Sequence, residues 1–232
     1  MDALYVIGNS SQYNNLELRL SLRSLEKNAK GLESVFIVGE KPNWIKNVVH
    51  LPIDDVYTRE NNVFRKILTA CKSDISENFL FMNDDFFMMK PFVMEEYPYF
   101  VNGEVVGITN PSRYQEVQNK TLNELQSKGI TRVMDYRVHC PIVFNKQKFL
   151  MIENYYKDSK LEKVGYSCRL LYGNLFVNNY IISDDCKLWG NDEIKETQQG
   201  CISTNDDCEN ILEELSIIFN KPSKYEKGDN NG

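Results

Sequence analysis

The chain has 232 residues, 42% hydrophobic and 26% charged, with a formal net charge of −6. That length carries a substantial core, no apolar run reaches the roughly 20 residues of a membrane span, and the acidic balance speaks against broad electrostatic capture of nucleic acid. The six cysteines (Cys71, Cys140, Cys168, Cys186, Cys201, Cys208) are scattered without a C-x-x-C pair, which reads as reduced thiols rather than a zinc site.

"ALYVI" (3–7) reads as a first strand rather than a signal peptide, and the polar loop "GNSSQYNN" follows it. Asn14 or Asn15 is placed to cap a helix over 16–29, where Leu18, Leu22, Leu25 and Ala29 share one face. Strands are expected at 34–38 and 47–51, a helix at about 61–70, and a buried strand at Phe79–Met82. This alternation is that of a single α/β domain with a mainly parallel sheet flanked by helices. Beyond Phe92 the periodicity weakens. Strands are expected at 104–108 and 178–183, an extended segment at 137–145 around Pro141, and helices at 113–127, 146–156 and 209–219. The polar tail is expected to fray after Tyr225.

Open parallel sheets bind ligands beyond the carboxyl ends of their strands, which directs attention to "NFLFMNDDFFMMK" (78–90). A carboxylate among apolar residues is costly unless it gains a partner. Asp84 and Asp85, at the mouth of a buried strand, suit a hard divalent cation that keeps water and binds substrate phosphates. Adjacent aspartates also occur at 54–55, 184–185 and 206–207. Asp184 and Asp185 again end an apolar run and are candidates for a general base; the other two pairs lie in polar segments and are expected to be solvated.

Cationic and polar residues near the same edge supply candidate phosphate and nucleoside contacts: Asn9 after the first strand, Arg19 and Arg23 on one helix face, and Asn62, Arg65 and Lys66 on the second helix. Arg23 can equally pair with Glu26. His139 can serve as a base or a metal ligand, whereas His50, within an apolar strand, reads as structural. No P-loop is present, and "GNSSQYNN" lacks the Rossmann glycine spacing.

The stretches "NNLELRLSLRSLEKNAKGLESVFIVGEKPNWI" and "FLFMNDDFFMMKPF" resemble the opening blocks of Stealth-type sugar-phosphate transferases. They are also similar to small phage and bacterial glycosyltransferase-like proteins of the GT-A fold. Matching positions are Glu17 to Lys27, Pro42 to Ile45, Arg65 and Phe79 to Pro91, with His139-Cys140-Pro141 similar to a later H-x-P element. The resemblance implies a GT-A-like, Rossmann-like domain over 1–225, with a donor part at about 1–95, an acceptor part at about 96–225 and a flexible tail at 226–232. It implies Asp85 as metal ligand, Asp84 as second ligand or sugar contact, and His139 as ligand or base, with Mn²⁺ or Mg²⁺ as cofactor. The chain opens "YVIGN" where Stealth proteins carry a different segment. The preferred expectation is therefore transfer of a sugar from a nucleotide-sugar donor, UDP-linked by the same resemblance, rather than of a hexose 1-phosphate. A non-catalytic binding module is the third reading. The acceptor stays open among a glycan, a lipid-linked sugar, a protein and a modified DNA base. The expected location is the cytoplasm of a bacterial or phage-infected cell.

Overall fold

Near-continuous burial along the apolar runs organises the fold. A computed structural model describes residues 1–8, 13–190 and 192–227. The first half contains β1 (Asp2–Ile7), α1 (Leu16–Asn28), β2 (Ala29–Lys30), β3 (Val35–Gly39), β4 (Val49–Leu51), α2 (Arg59–Cys71) and β5 (Asn78–Met82). Then follow β6 (Phe86–Met88), β7 (Phe92–Val93), β8 (Phe100–Val101), α3 (Arg113–Ser127) and β9 (Ile142–Asn145). The chain continues through α4 (Lys146–Met151), α5 (Glu153–Ser159), α6 (Cys168–Phe176), β10 (Ile181–Ile182), β11 (Lys187–Leu188), β12 (Cys201–Thr204) and α7 (Glu209–Ile218).

The main sheet has the order β4-β3-β1-β5-β9, parallel except for β9, which runs antiparallel to β5. Leu4, Phe36, Val38, Phe79 and Phe81 point into one core with Phe64, Ile67 and Leu68 of α2. Ala3, Tyr5, Ile7, Val35, Ile37, Leu80 and Met82 point the other way, onto Leu18, Leu22 and Leu25 of α1. Covering both faces is what makes these strands nearly continuous apolar runs. A second sheet, β11-β12-β6, packs Leu188, Ile202 and Phe87 against Ile211, Leu212 and Leu215 of α7. No helix among the described residues is long and apolar enough to cross a membrane.

The second half departs from expectation in four places. Residues 104–108 form no strand; Glu104 makes one bridge to Met134, and β propensity without a neighbouring strand gives no ladder. The strand expected at 178–183 shrinks to β10. The helix expected at 146–156 breaks at Ile152, which leaves helical geometry (φ −96°, ψ 9°) and buries its side chain. The first two residues of the expected flexible tail are held: Glu226 is buried, bridges Ile45, and is followed by a bond from the Lys227 amide to the Trp44 carbonyl (2.8 Å), while 228–232 lie outside the described residues. Asn15 is the N-cap residue of α1, but in a left-handed conformation and without a side-chain capping bond.

Candidate functional site

The carboxyl ends of β1, β3, β4 and β5 lie along one edge, because the four strands are parallel. Lys66 is buried there; its ammonium donates to the Ile7 carbonyl (2.7 Å) and pairs with Asp55 (2.6 Å). Gly39 makes room for it. With φ +111°, a Cβ at that position would meet the Ile7 oxygen at 2.1 Å and the Lys66 ammonium at 3.0 Å. His50 donates from Nε2 to the Gly39 carbonyl (2.9 Å), in keeping with its structural reading.

The loop before α2 is tied to the same edge. The Asn62 side chain accepts from the amides of Val56 and Tyr57 (3.2 and 3.0 Å) and donates to the Tyr57 carbonyl (2.7 Å). Arg65 donates to the Asp54 carbonyl (3.1 Å) and lies over the Tyr57 ring. Asn62, Arg65 and Lys66 each bond this loop. Asp55 is exposed, as expected, but its carboxylate is also the partner of a buried lysine.

Asp84 and Asp85 occupy the turn from β5 into β6, closed by a bond from the Phe86 amide to the Asn83 carbonyl (3.3 Å). Both are partly buried. Asp85 Oδ2 accepts from the Ser203 hydroxyl (2.8 Å), and its carbonyl accepts from the Thr204 amide (3.3 Å). Burial, then the neighbouring charges of Asp85 and Glu17, push the Asp84 carboxyl up to about 6; the nearby Arg59 guanidinium at the start of α2 opposes this. Negative charge is thus crowded at this turn, which a cation would relieve.

The residues present fit a hard divalent ion that is completed by water and phosphate oxygens, because the turn supplies two adjacent carboxylates. Among the described residues no three His, Cys, Asp or Glu side chains gather into a metal-holding group. The expected set of Asp84, Asp85 and His139 is therefore not preassembled.

His139 has another partner. Its Nδ1 donates to Asp185 Oδ2 (2.6 Å), and its amide donates to Asp185 Oδ1 (2.9 Å). Burial raises the Asp185 carboxyl, but the His139 donors outweigh it and hold the group below the usual carboxylate range. An ionised Asp185 fixes the tautomer with hydrogen on Nδ1, leaving Nε2 to take a proton. Asp184 is exposed, and the bond it receives is at its carbonyl, from Gln199.

Two backbone steps connect this pair to the carboxylate turn. The Ser203 amide donates to the Cys186 carbonyl (3.1 Å), next to Asp185, while the Ser203 hydroxyl reaches Asp85. The Cys186 thiol donates to the His139 carbonyl (2.8 Å). Behind His139, the Arg169 guanidinium donates to the carbonyls of Tyr136 (3.0 Å), Val138 (2.9 Å) and Cys140 (2.6 Å), shaping the segment that presents the imidazole. Ser203, Arg169 and Arg59 escaped sequence reasoning, since nothing in their local pattern marks them.

The expected diphosphate contacts on α1 are placed differently. Arg23 grips the buried Glu226 carboxylate with two bonds of 2.7 Å and also donates to the Phe219 carbonyl (2.9 Å). Arg19 reaches the same carboxylate at 3.0 Å and lies 4.4 Å from the centre of the Trp44 ring. Both guanidiniums pin the C-terminal segment to α1. Asn9 falls outside the described residues.

No protein-family model matches the chain, and no curated protein sequence does. Among solved structures, the galactosyltransferase LgtC in complex with donor and acceptor sugar analogues is similar with a TM-score of 0.53 at 8% identity, over 97% of this chain and 98% of that one. An active-site mutant of LgtC gives 0.53 at 7% identity over the same shares. The glycosyltransferase GlyE of Streptococcus pneumoniae TIGR4 is more distant, at 0.40 and 9% identity over 78% of this chain and 44% of that one. The chain has the fold of the GT-A glycosyltransferases.

Proposed function

We propose that this chain is a glycosyltransferase that moves a sugar from a nucleotide-sugar donor, UDP-linked in the simplest case, to an acceptor hydroxyl. The observation that carries the reading is the Asp84–Asp85 pair: two partly buried carboxylates, aimed by β5 and Ser203 over the carboxyl edge of a parallel sheet. Asp84 and Asp85 would hold Mn²⁺ or Mg²⁺, whose contribution when bound is to neutralise the diphosphate leaving group. Arg59, whose charge reaches Asp84, would meet phosphate oxygens in place of Arg19 and Arg23. His139 Nε2 takes the proton of the acceptor hydroxyl as the new bond to the sugar C1 forms and the bond from C1 to the phosphate oxygen breaks. Asp185 orients the ring and stabilises the imidazolium.

UDP release from a panel of UDP-hexoses and UDP-N-acetylhexosamines, with Mn²⁺ or with chelator, tests this reading. Metal-dependent release that Asp85→Asn abolishes supports it; no release from any donor contradicts it. A donor labelled at its β-phosphate defines the bond broken. The label stays in UDP if the sugar alone moves, and enters the product if hexose 1-phosphate moves.

A further inference from the structure

Lone exposed apolar side chains are ordinary on protein surfaces, and several are scattered over this chain, Leu161 and Ile217 among them. Trp189 differs by its position. Its ring is 61% exposed, and it directly follows β11. β11 and β12 are parallel, with Lys187 opposite Ser203 and Leu188 opposite Thr204. Leu188 and Ile202 are buried against α7. By strand alternation Lys187 and Ser203 therefore face the other way, and on that side the Ser203 hydroxyl meets Asp85. Trp189, two residues beyond Lys187, is on the same side; the Lys187 ammonium lies 5.3 Å from the centre of its ring. Strand geometry puts Lys187 about 4.8 Å from Ser203, and Trp189 lies just beyond the end of β11.

The backbone at Trp189 is held. The Trp189 amide donates to Asp192 Oδ2 (2.8 Å), the Asp192 amide returns to the Trp189 carbonyl (2.9 Å), and the Gly190 amide reaches Asn205 Oδ1 (3.3 Å). A large flat ring is thus presented to solvent beside an ammonium, on a strand whose neighbour bonds the carboxylate turn through Ser203.

We infer that Trp189 and Lys187 form the acceptor subsite and that the acceptor is a saccharide. A pyranose has an apolar C–H face and a rim of hydroxyls. The first matches an exposed indole, an amphipathic surface with an apolar body, and the second matches the hydrogen-bond donors of the Lys187 ammonium beside it. This selects a glycan, or the glycan part of a lipid-linked sugar, over a protein side chain or a DNA base. The inference rests on the transferase reading for the identity of the site, but its ligand is tested separately.

The probe is an array of immobilised pyranosides covering common hexoses, N-acetylhexosamines and uronic acids, with UDP and Mn²⁺ present and absent. UDP–Mn²⁺ affinity is measured in parallel by calorimetry. Wild type is expected to bind a subset of the glycans; Trp189→Ala should lose that signal at least tenfold and Trp189→Phe should retain part of it. UDP–Mn²⁺ affinity and the melting temperature should be the same in all three, since the ring is exposed and the bond that ties Trp189 to Asp192 is made by its amide rather than its side chain. No glycan bound by wild type, or a signal indifferent to Trp189→Ala, overturns the inference even if UDP–Mn²⁺ binds. A Trp189-dependent glycan signal without UDP–Mn²⁺ binding upholds the saccharide subsite and discards the transferase reading instead.

Discussion

Replacing Glu226 by alanine removes the carboxylate that holds Arg19 and Arg23 together at the end of the chain. Glu226 receives bonds from Arg23 (2.7 and 2.7 Å), Arg19 (3.0 Å), the Ser223 amide (2.8 Å) and the Ser223 hydroxyl (3.1 Å). Its side chain is 2% exposed, against 30% for Arg19 and 14% for Arg23. Truncating one partner of a buried pair costs about 3–5 kcal/mol, and the residual hydration of both arginines places this case near the lower end, about 3 kcal/mol. In a chain of this size that corresponds to a melting temperature lower by about 6–12 °C. Calorimetric melting of wild type and Glu226→Ala measures it. Burial raises the Glu226 carboxyl, but Arg23 and Ser223 outweigh burial and leave it below its ordinary 4.5. A depressed carboxylate stabilises the fold fully above that ordinary value, and the contribution fades as the pH falls through the lower folded value. The difference between wild type and variant should therefore be constant at neutral pH and shrink below about pH 4.5. A melting temperature within 1 °C of wild type, together with tighter UDP–Mn²⁺ binding, would refute the structural pin and return both arginines to a diphosphate.

Three further outcomes follow from the site. Gly39→Ala should destabilise the fold and displace Lys66, because a Cβ at φ +111° meets the Ile7 carbonyl at 2.1 Å; unchanged urea unfolding would count against the crowded sheet edge. His139→Ala should leave UDP–Mn²⁺ affinity intact while transfer falls by roughly 10²–10⁴-fold, the range for lost acid–base catalysis; a parallel loss of metal affinity would make it a ligand instead. Arg169→Met strips donors from three carbonyls around His139, so kcat should fall with UDP–Mn²⁺ affinity kept, and a normal kcat would show that the segment holds itself.

Periodicity made much of the first half of the fold legible. β1, β3 and β5 carry apolar side chains on both faces, and α1 and α2 show one apolar stripe each. The capping box of Ser112 and Gln115 marks α3, which spans the expected 113–127. The second sheet was not legible. β11 has two residues and β12 four, too short for a pattern, and the ladder from β12 to β6 joins Ser203 to Phe86 across more than a hundred residues. For the same reason His139 and Asp185 each read as a candidate on its own, but their pairing across 46 positions did not. The arginines of α1 show the converse limit. A helix face displays which charges share it, but not that a carboxylate 203 and 207 positions away folds back to meet them. Likewise, the polarity around Asp55 hid its buried lysine partner.

The most direct test of the central claim is calorimetric titration of UDP into wild type and Asp85→Asn, each with Mn²⁺ and with chelator. The account predicts binding to wild type only with Mn²⁺, and its loss in Asp85→Asn at an unchanged melting temperature. UDP binding of equal strength with chelator, or in Asp85→Asn, would contradict it.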